Sequence, residues 1–248
     1  MCFFKSRFCV YLFVLAFLSG CATTKDVTEK PSIILETDEF IVVPVYYGTD
    51  RAFTGDKASP KYYGYEYVDQ LYMGMCMVSI PKLHKQGVAE SPSPWRSENP
   101  AEHVILQKAV PLGREKFFSN LHRQSNSETL IFIHGFNVTF EDAARRTAQI
   151  AYDLNFKGRA VMYSWPSKGD ISPPGYIHDK DIIGASSIHL REFLQAVASD
   201  SGASAIHIIA HSIGNVALTK ALAQIDVRLL NKPMFSEVML IAPDMNVD

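Results

Sequence analysis

Cysteine is scarce in this chain. Cys2, Cys9 and Cys21 sit at the N-terminus, and only Cys76 lies in the body. No C-x-x-C pair exists, and once the N-terminus is removed no disulfide framework can form within one chain. Cys76 falls in the apolar run "LYMGMCMVSI" and reads as a buried small hydrophobe. A charge of one sign is also missing: 24 basic against 26 acidic residues give a net −2. Without a basic stripe there is no footprint for nucleic acid. No G-x-G-x-x-G and no G-x-x-x-x-G-K-[ST] occurs, so no nucleotide cofactor is indicated. The eight histidines are scattered, and no metal site is expected. No internal repeat is visible. What remains is ordinary globular composition, 47% hydrophobic and 20% charged, in a chain long enough to bury one large core.

The first residues are a leader rather than part of the fold. Lys5 and Arg7 precede an apolar run from Phe8 to Leu18, and small residues follow, the three regions of a secretory signal. An uncleaved membrane helix is the alternative, but the run is short for the roughly 20 residues a span needs. Leu18-Ser19-Gly20-Cys21 resembles a bacterial lipobox. The resemblance implies cleavage before Cys21, acylation of that cysteine with palmitate-type chains, and a lipid anchor in the envelope. Ala22 after the cysteine implies the outer membrane in a diderm organism. The expected layout is therefore a signal over 1–20, a polar tether over 21–36 and one domain over 37–248. Losing Lys5 and Arg7 leaves 22 basic against 26 acidic residues, a mature charge of −4.

The domain reads in two halves. "EFIVVPVYYGTDR" is expected as a strand ending at Gly48, "KYYGYEYVDQ" as irregular, and "LYMGMCMVSIP" as a strand stopped by Pro81. The stretch 82–100 has loop composition. A strand in "EHVILQKAVPL" and a helix in "REKFFSNLHRQ" follow. From Thr129 onward strands and helices alternate. "TLIFIHGF", "RAVMYSWP", "AIHIIAHS" and "SEVMLIAP" are short, nearly all-apolar strands, as expected when both faces of a sheet are covered. Between them lie three helices. The first is capped by Thr139 with Asp142 three residues on and places Phe140, Ala144, Ala148, Ala151 and Leu154 on one face. The second covers "DIIGASSIHLREFLQAVASD" and the third "IGNVALTKALAQI". Such alternation predicts a mostly parallel, doubly wound α/β sheet with helices on both faces.

Ala210-His211-Ser212-Ile213-Gly214 is the G-x-S-x-G elbow with alanine at its first position. The turn from strand to helix is tight, so residues two either side of the serine must be small. A serine that merely caps the next helix is the plainer reading; the apolar strand before it and the helix after it favour a nucleophile. Ile213 N–H can then donate to an oxyanion. "FIHGFN" supplies a second signal, placing Gly135, Phe136 and Asn137 after an earlier strand, where a hydrolase presents its other oxyanion donor. Gly135 permits close approach, Phe136 N–H is the expected donor, and Asn137 is the next candidate. His134 stands where such histidines brace this loop; as a base it would precede the serine, against the usual order Ser, acid, His. "SWPSKGDISPPGY" is expected as a loop on the ligand-binding side of the sheet. Trp165, Tyr176 and Asp179, with His134 and Asn137, are candidate pocket residues, although Trp165 could equally pack the core and Asp179 begin a helix.

These motifs together resemble a bacterial α/β-hydrolase family of the esterase/lipase superfamily, long catalogued as a domain of unknown function. The likeness rests on "VPVYYGTDR", "MGMCMVSIP", "FIHGFNVTFEDAARRTAQIAYDL", "YSWPSKG", Tyr176 with Asp179, "AHSIGN" and "IAPDM". It implies Ser212 as nucleophile and an acid and a histidine on later loops. The expectation is thus a lipid-anchored serine hydrolase acting on a small-molecule ester or lipid, without cofactor. Its triad histidine, and with it the acid, would follow Asp248, and the last strands of the sheet would be missing from the chain as it stands. Asp244 is the only acid here at a suitable strand end. No turnover of a short aryl ester is expected from the 248 residues alone. The rival from another class is a non-catalytic envelope lipoprotein that uses the scaffold for binding.

Overall fold

The computed structural model describes residues 35–55, 62–93, 95–123, 127–225 and 235–244. The signal peptide, Cys21 and all but the last two residues of the expected tether lie outside them. Those two residues, Leu35–Glu36, form a short strand β1 that pairs antiparallel with β2, Phe40–Phe53. Strands β3 (Tyr63–Pro81) and β4 (Ile105–Leu112) and helix α1 (Arg114–His122) complete the first half. Then come β5 (Thr129–Ile133), α2 (Phe140–Asp153), β6 (Arg159–Ser164), α3 (Pro173–Asp200), β7 (Ile206–His211), α4 (Gly214–Ala223) and β8 (Glu237–Ile241).

These strands form one sheet in the order β4-β3-β2-β6-β5-β7-β8. The β4-β3-β2 edge is antiparallel, and the ladder from β2 through β6, β5 and β7 to β8 is parallel. Alternate side chains enter two cores. Tyr46, Ile131, Val161 and Ile208 face α1, α3 and α4, while Val45, Leu130, Met162 and Ile209 face the α2 side. Each fully buried aliphatic or aromatic side chain of this kind contributes roughly 1.5–3 kcal/mol. The fold is therefore the α/β sheet with helices on both faces that the alternation predicts.

Local chemistry sets the helix starts. Thr139 caps α2 in a reciprocal box with Asp142, which satisfies donors that the first turn leaves open. Leu154, expected on the buried face of α2, lies at its C-cap and is exposed. Helix α3 begins earlier than the sequence suggests. Ser172 accepts from Gly175 N–H, and Pro173 occupies the first helical position, where its missing N–H costs nothing. The stretch expected as a loop up to Tyr176 is thus partly first turn.

Strand β2 likewise does not stop at Gly48, and the stretch from Tyr63 is not irregular. The two strands stay paired through Thr49–Tyr72, Arg51–Tyr67 and Phe53–Tyr63, with register shifts that place extra residues on β3. Bulges of this kind bend and twist a ribbon. The aromatic residues hold the bent ribbon down: Tyr63 packs on Tyr47 and Phe140 at ring distances of 5.7 and 4.7 Å. The loop between β3 and β4 is pinned to α2, with His84 bridging Glu90 (2.7 Å) and Asp153 (2.9 Å).

Across the other face, α3 is tied to the end of β2. The buried Asp50 carboxylate accepts from Ser186 Oγ (2.7 Å) and faces His189 Nδ1 at 3.3 Å. The hydrogen bond to Asp50 raises the His189 pKa above its ordinary value, against the opposing effect of burial. A raised folded pKa stabilises fully below the unfolded value and is lost as pH rises through the folded one. His189→Gln should therefore cost most stability near pH 6 and progressively less towards pH 9, read from denaturant midpoints. A difference independent of pH would show that the imidazolium is not what holds Asp50.

Candidate active site

The parallel strands place the site. From β5 the chain crosses through α2 to β6 on one side, and from β6 it returns through α3 to β7 on the other. The loops leaving β5 and β7 therefore diverge, and ligands of open α/β sheets bind in the crevice this creates. Ile133 and Ala210 are partners across β5 and β7, so the turn beginning at His134 and the turn at Ser212 stand side by side.

Ser212 carries a φ of 52°, a left-handed conformation that a non-glycine residue adopts only when its surroundings force it. Those surroundings are visible. Ser212 N–H donates to Ile241 O at 3.0 Å, and its carbonyl accepts from Asn215 N–H and from Asn215 Nδ2 at 3.1 and 2.7 Å. Asn215 Nδ2 also reaches Ile241 O at 3.2 Å. One buried amide thus ties the elbow to the end of β8. Sequence reading passed over Asn215, although it completes the "AHSIGN" motif.

The two turns touch because of two glycines. A Cβ on Gly135 would stand 2.8 Å from Ser212 Cβ and 3.0 Å from His211 O. A Cβ on Gly214 would stand 2.3 Å from His134 O. No side chain larger than hydrogen fits at either point without displacing backbone. Around this contact, Phe136 N–H and Ile213 N–H meet no hydrogen-bond acceptor among the described residues. Asn137 N–H does: it points at Asp179 Oδ2, 3.5 Å away, and Asn137 itself is left-handed with a φ of 57°.

The remaining sequence candidates divide into brace and mouth. His134 is buried, stacked on Trp165 at 5.0 Å, and its Nδ1–H donates to Gly135 O at 2.9 Å. Its Nε2 faces Arg51 Nη2 and Ser164 Oγ, both at 3.4 Å. Burial, then the Arg51 charge, pushes the His134 pKa down to about 3, so the ring is neutral with both nitrogens engaged and is not placed to serve Ser212. Trp165 and Asp179 do not line an open pocket either, as both are fully buried. Trp165 Nε1 donates to His134 O at 2.8 Å, and Asp179 accepts from Ser167 Oγ and Lys168 N–H at 2.6 and 2.8 Å.

Tyr176 and Asp244 belong to the mouth. The Tyr176 ring packs edge-on against Phe136 at 5.3 Å, and its hydroxyl donates to Asp244 Oδ2 at 3.0 Å. This bond spans from the first turn of α3 to the end of β8, beside Ser212. The Asp244 carboxylate is exposed, and its partner is a tyrosine rather than a histidine. A cavity of about 560 Å³ opens on the α2 side, next to Gly135 and His211; of the five expected pocket residues only His134 contributes to its wall. His207 and His211 stand four apart but at opposite ends of the extended β7, and among the described residues no group of three metal-ligating side chains occurs.

A family model described as "Alpha/beta hydrolase of unknown function (DUF900)" matches residues 113–248, more than half of the chain and every element of the site but the end of β2. No curated protein and no solved structure matches.

The glycine contact is testable through stability alone. Gly135→Ala and Gly214→Ala should each lower the unfolding free energy by roughly 1–3 kcal/mol, the usual cost of overpacking, measured by denaturant titration. Unchanged midpoints would mean that the two turns do not meet.

Proposed function

The chain belongs to this α/β-hydrolase family, and we propose that it is a serine hydrolase that transfers the acyl group of a carboxylic ester to water. The observation that carries the reading is the left-handed Ser212 at a strand–helix turn, pressed against Gly135 of the neighbouring turn. Strain of this kind at an exposed strand end is a mark of nucleophile elbows. Ser212 Oγ attacks the carbonyl carbon while a histidine takes its proton. The uncommitted N–H groups of Phe136 and Ile213 receive the oxyanion. The proton passes to the departing alcohol, and water then hydrolyses the acyl-enzyme by the same steps. In this reading the acid and the histidine come after Ser212 in chain order, as the family resemblance implies. Asp244, held by Tyr176, shapes the mouth instead.

The decisive measurement is covalent labelling of the full-length protein with a fluorophosphonate, located by peptide mass. Label on Ser212, lost in Ser212→Ala together with turnover of p-nitrophenyl butyrate, is the expected result. A folded, unlabelled protein would turn the account to the rival reading, a binding module. That rival draws on one observation: among the described residues no histidine bonds Ser212.

The lipobox-like Leu18-Ser19-Gly20-Cys21 supports a second part of the proposal, anchoring in the bacterial envelope through acylated Cys21. Cells given labelled palmitate should incorporate it into the protein, and Cys21→Ser should abolish incorporation and release the protein from membranes. Incorporation that survives the substitution would place the lipid elsewhere.

A further inference from the structure

We infer that Arg51 is the positioning residue of the oxyanion turn, gripping the segment from His134 to Val138 from behind and leaving its own charge to act on the oxyanion. The inference rests on the reading of Ser212 as nucleophile. Arg51 sits at the end of β2, 1% exposed, and every one of its five N–H donors is committed. Nε donates to Ser164 Oγ (2.9 Å), and Nη1 to Gly64 O (3.0 Å) and Ser167 O (2.9 Å). Nη2 donates to Val138 O (2.8 Å) and faces His134 Nε2 (3.4 Å). One NH₂ group therefore holds both ends of the turn that carries Phe136.

Ser167 extends the grip. Its hydroxyl accepts from Val138 N–H at 3.1 Å and donates to Asp179 at 2.6 Å, and Asp179 in turn faces Asn137 N–H at 3.5 Å. Two consecutive amides are thus consumed behind the turn, and the Phe136 amide is the one left over.

No carboxylate touches the guanidinium among the described residues. Asp50, Asp179 and Asp142 act on it only from a distance, and burial lowers its pKa to about 9, so it is charged at neutral pH. Burying a charge without a paired opposite is unfavourable. An oxyanion forming one layer above, in a medium of low dielectric, recovers part of that cost.

A second buried arginine supplies the control. Arg159, also 1% exposed, donates to Leu121 O, Ser201 O and Ser127 O, each at 2.8 Å. It does so where β6 begins, at the opposite end of the sheet from Ser212. Both arginines clamp carbonyls; only Arg51 clamps the turn beside the nucleophile.

The test compares Arg51→Lys, Ser167→Ala and Arg159→Lys in the full-length protein, at a temperature where all are folded. Amide exchange reports the turn, and turnover of p-nitrophenyl butyrate gives kcat and KM separately. Arg51→Lys and Ser167→Ala should speed exchange at residues 137 and 138. They should also lower kcat by roughly 10- to 100-fold, the scale of a misplaced oxyanion donor, with KM within about twofold. Arg159→Lys should loosen residues around Leu121 and Ser201 and leave kcat unchanged. Equal kcat losses in Arg51→Lys and Arg159→Lys at equal stability, or an unaltered turn in Arg51→Lys, would overturn the inference. If the unsubstituted protein never acylates Ser212, the hydrolase reading fails and takes the positioning role with it. The exchange data are then the separate record of whether the clamp orders the turn.

Discussion

The close approach of two backbone turns, one after β5 and one after β7, is the constraint on which the site depends. Parallel pairing of Ile133 with Ala210 brings the turns level, and the switch of the connecting helices to opposite faces of the sheet at this point opens a crevice between the segments that follow. Everything else at the site serves that approach. Gly135 and Gly214 remove the side chains that would hold the turns apart. Asn215 fastens the elbow to β8 and holds Ser212 in its left-handed conformation. A family model that spans this whole arrangement is what an inherited geometry of this kind would produce.

The electrostatics beneath the turns follow from burial. His134 cannot ionise where it lies, because desolvation and the neighbouring guanidinium both oppose a second charge. Its neutrality fixes the tautomer: Nδ1–H goes to Gly135 O, so Nε2 is the acceptor that Arg51 meets. Asp179 stays satisfied through hydrogen bonds from Ser167 and Lys168 N–H. The result is a layered site, with charge at depth, a neutral ring and indole above it, and the two uncommitted amides of Phe136 and Ile213 beside the glycine contact.

Much of this was legible from local pattern. Short apolar strands, a capping box at Thr139 and small residues flanking Ser212 are signals carried by neighbours in sequence, and they gave the strand–helix order from Thr129 onward. What depended on distant partners was not legible. The continuation of β2 past Gly48 exists because β3 pairs with it, and the aromatic residues from Tyr62 pack on that ribbon and on Phe140. Arg51 lay past the expected strand end at Gly48; nothing in its flanks reveals that five acceptors from three segments surround it. Trp165 and Asp179 have the residue types of a pocket wall, and only the long-range packing shows them buried. The early start of α3 was different, since Ser172 before two prolines is a helix signal that loop composition obscured.

Helix α3 runs 28 residues without interruption. Its first turns carry Tyr176 to the mouth and Asp179 to the brace, and its middle holds Asp50 through Ser186. The wall over Ser212 is therefore one end of a core beam, not a hinged flap. It cannot swing aside for a bulky ligand without dragging Ser186 off Asp50 and the helix off the sheet. Variation at this wall is then left to side chains on its outer surface, where Ile177 and Lys180 are exposed in the second turn. The outline of the mouth can change there while the brace of Arg51, Ser167 and Asp179 below stays still.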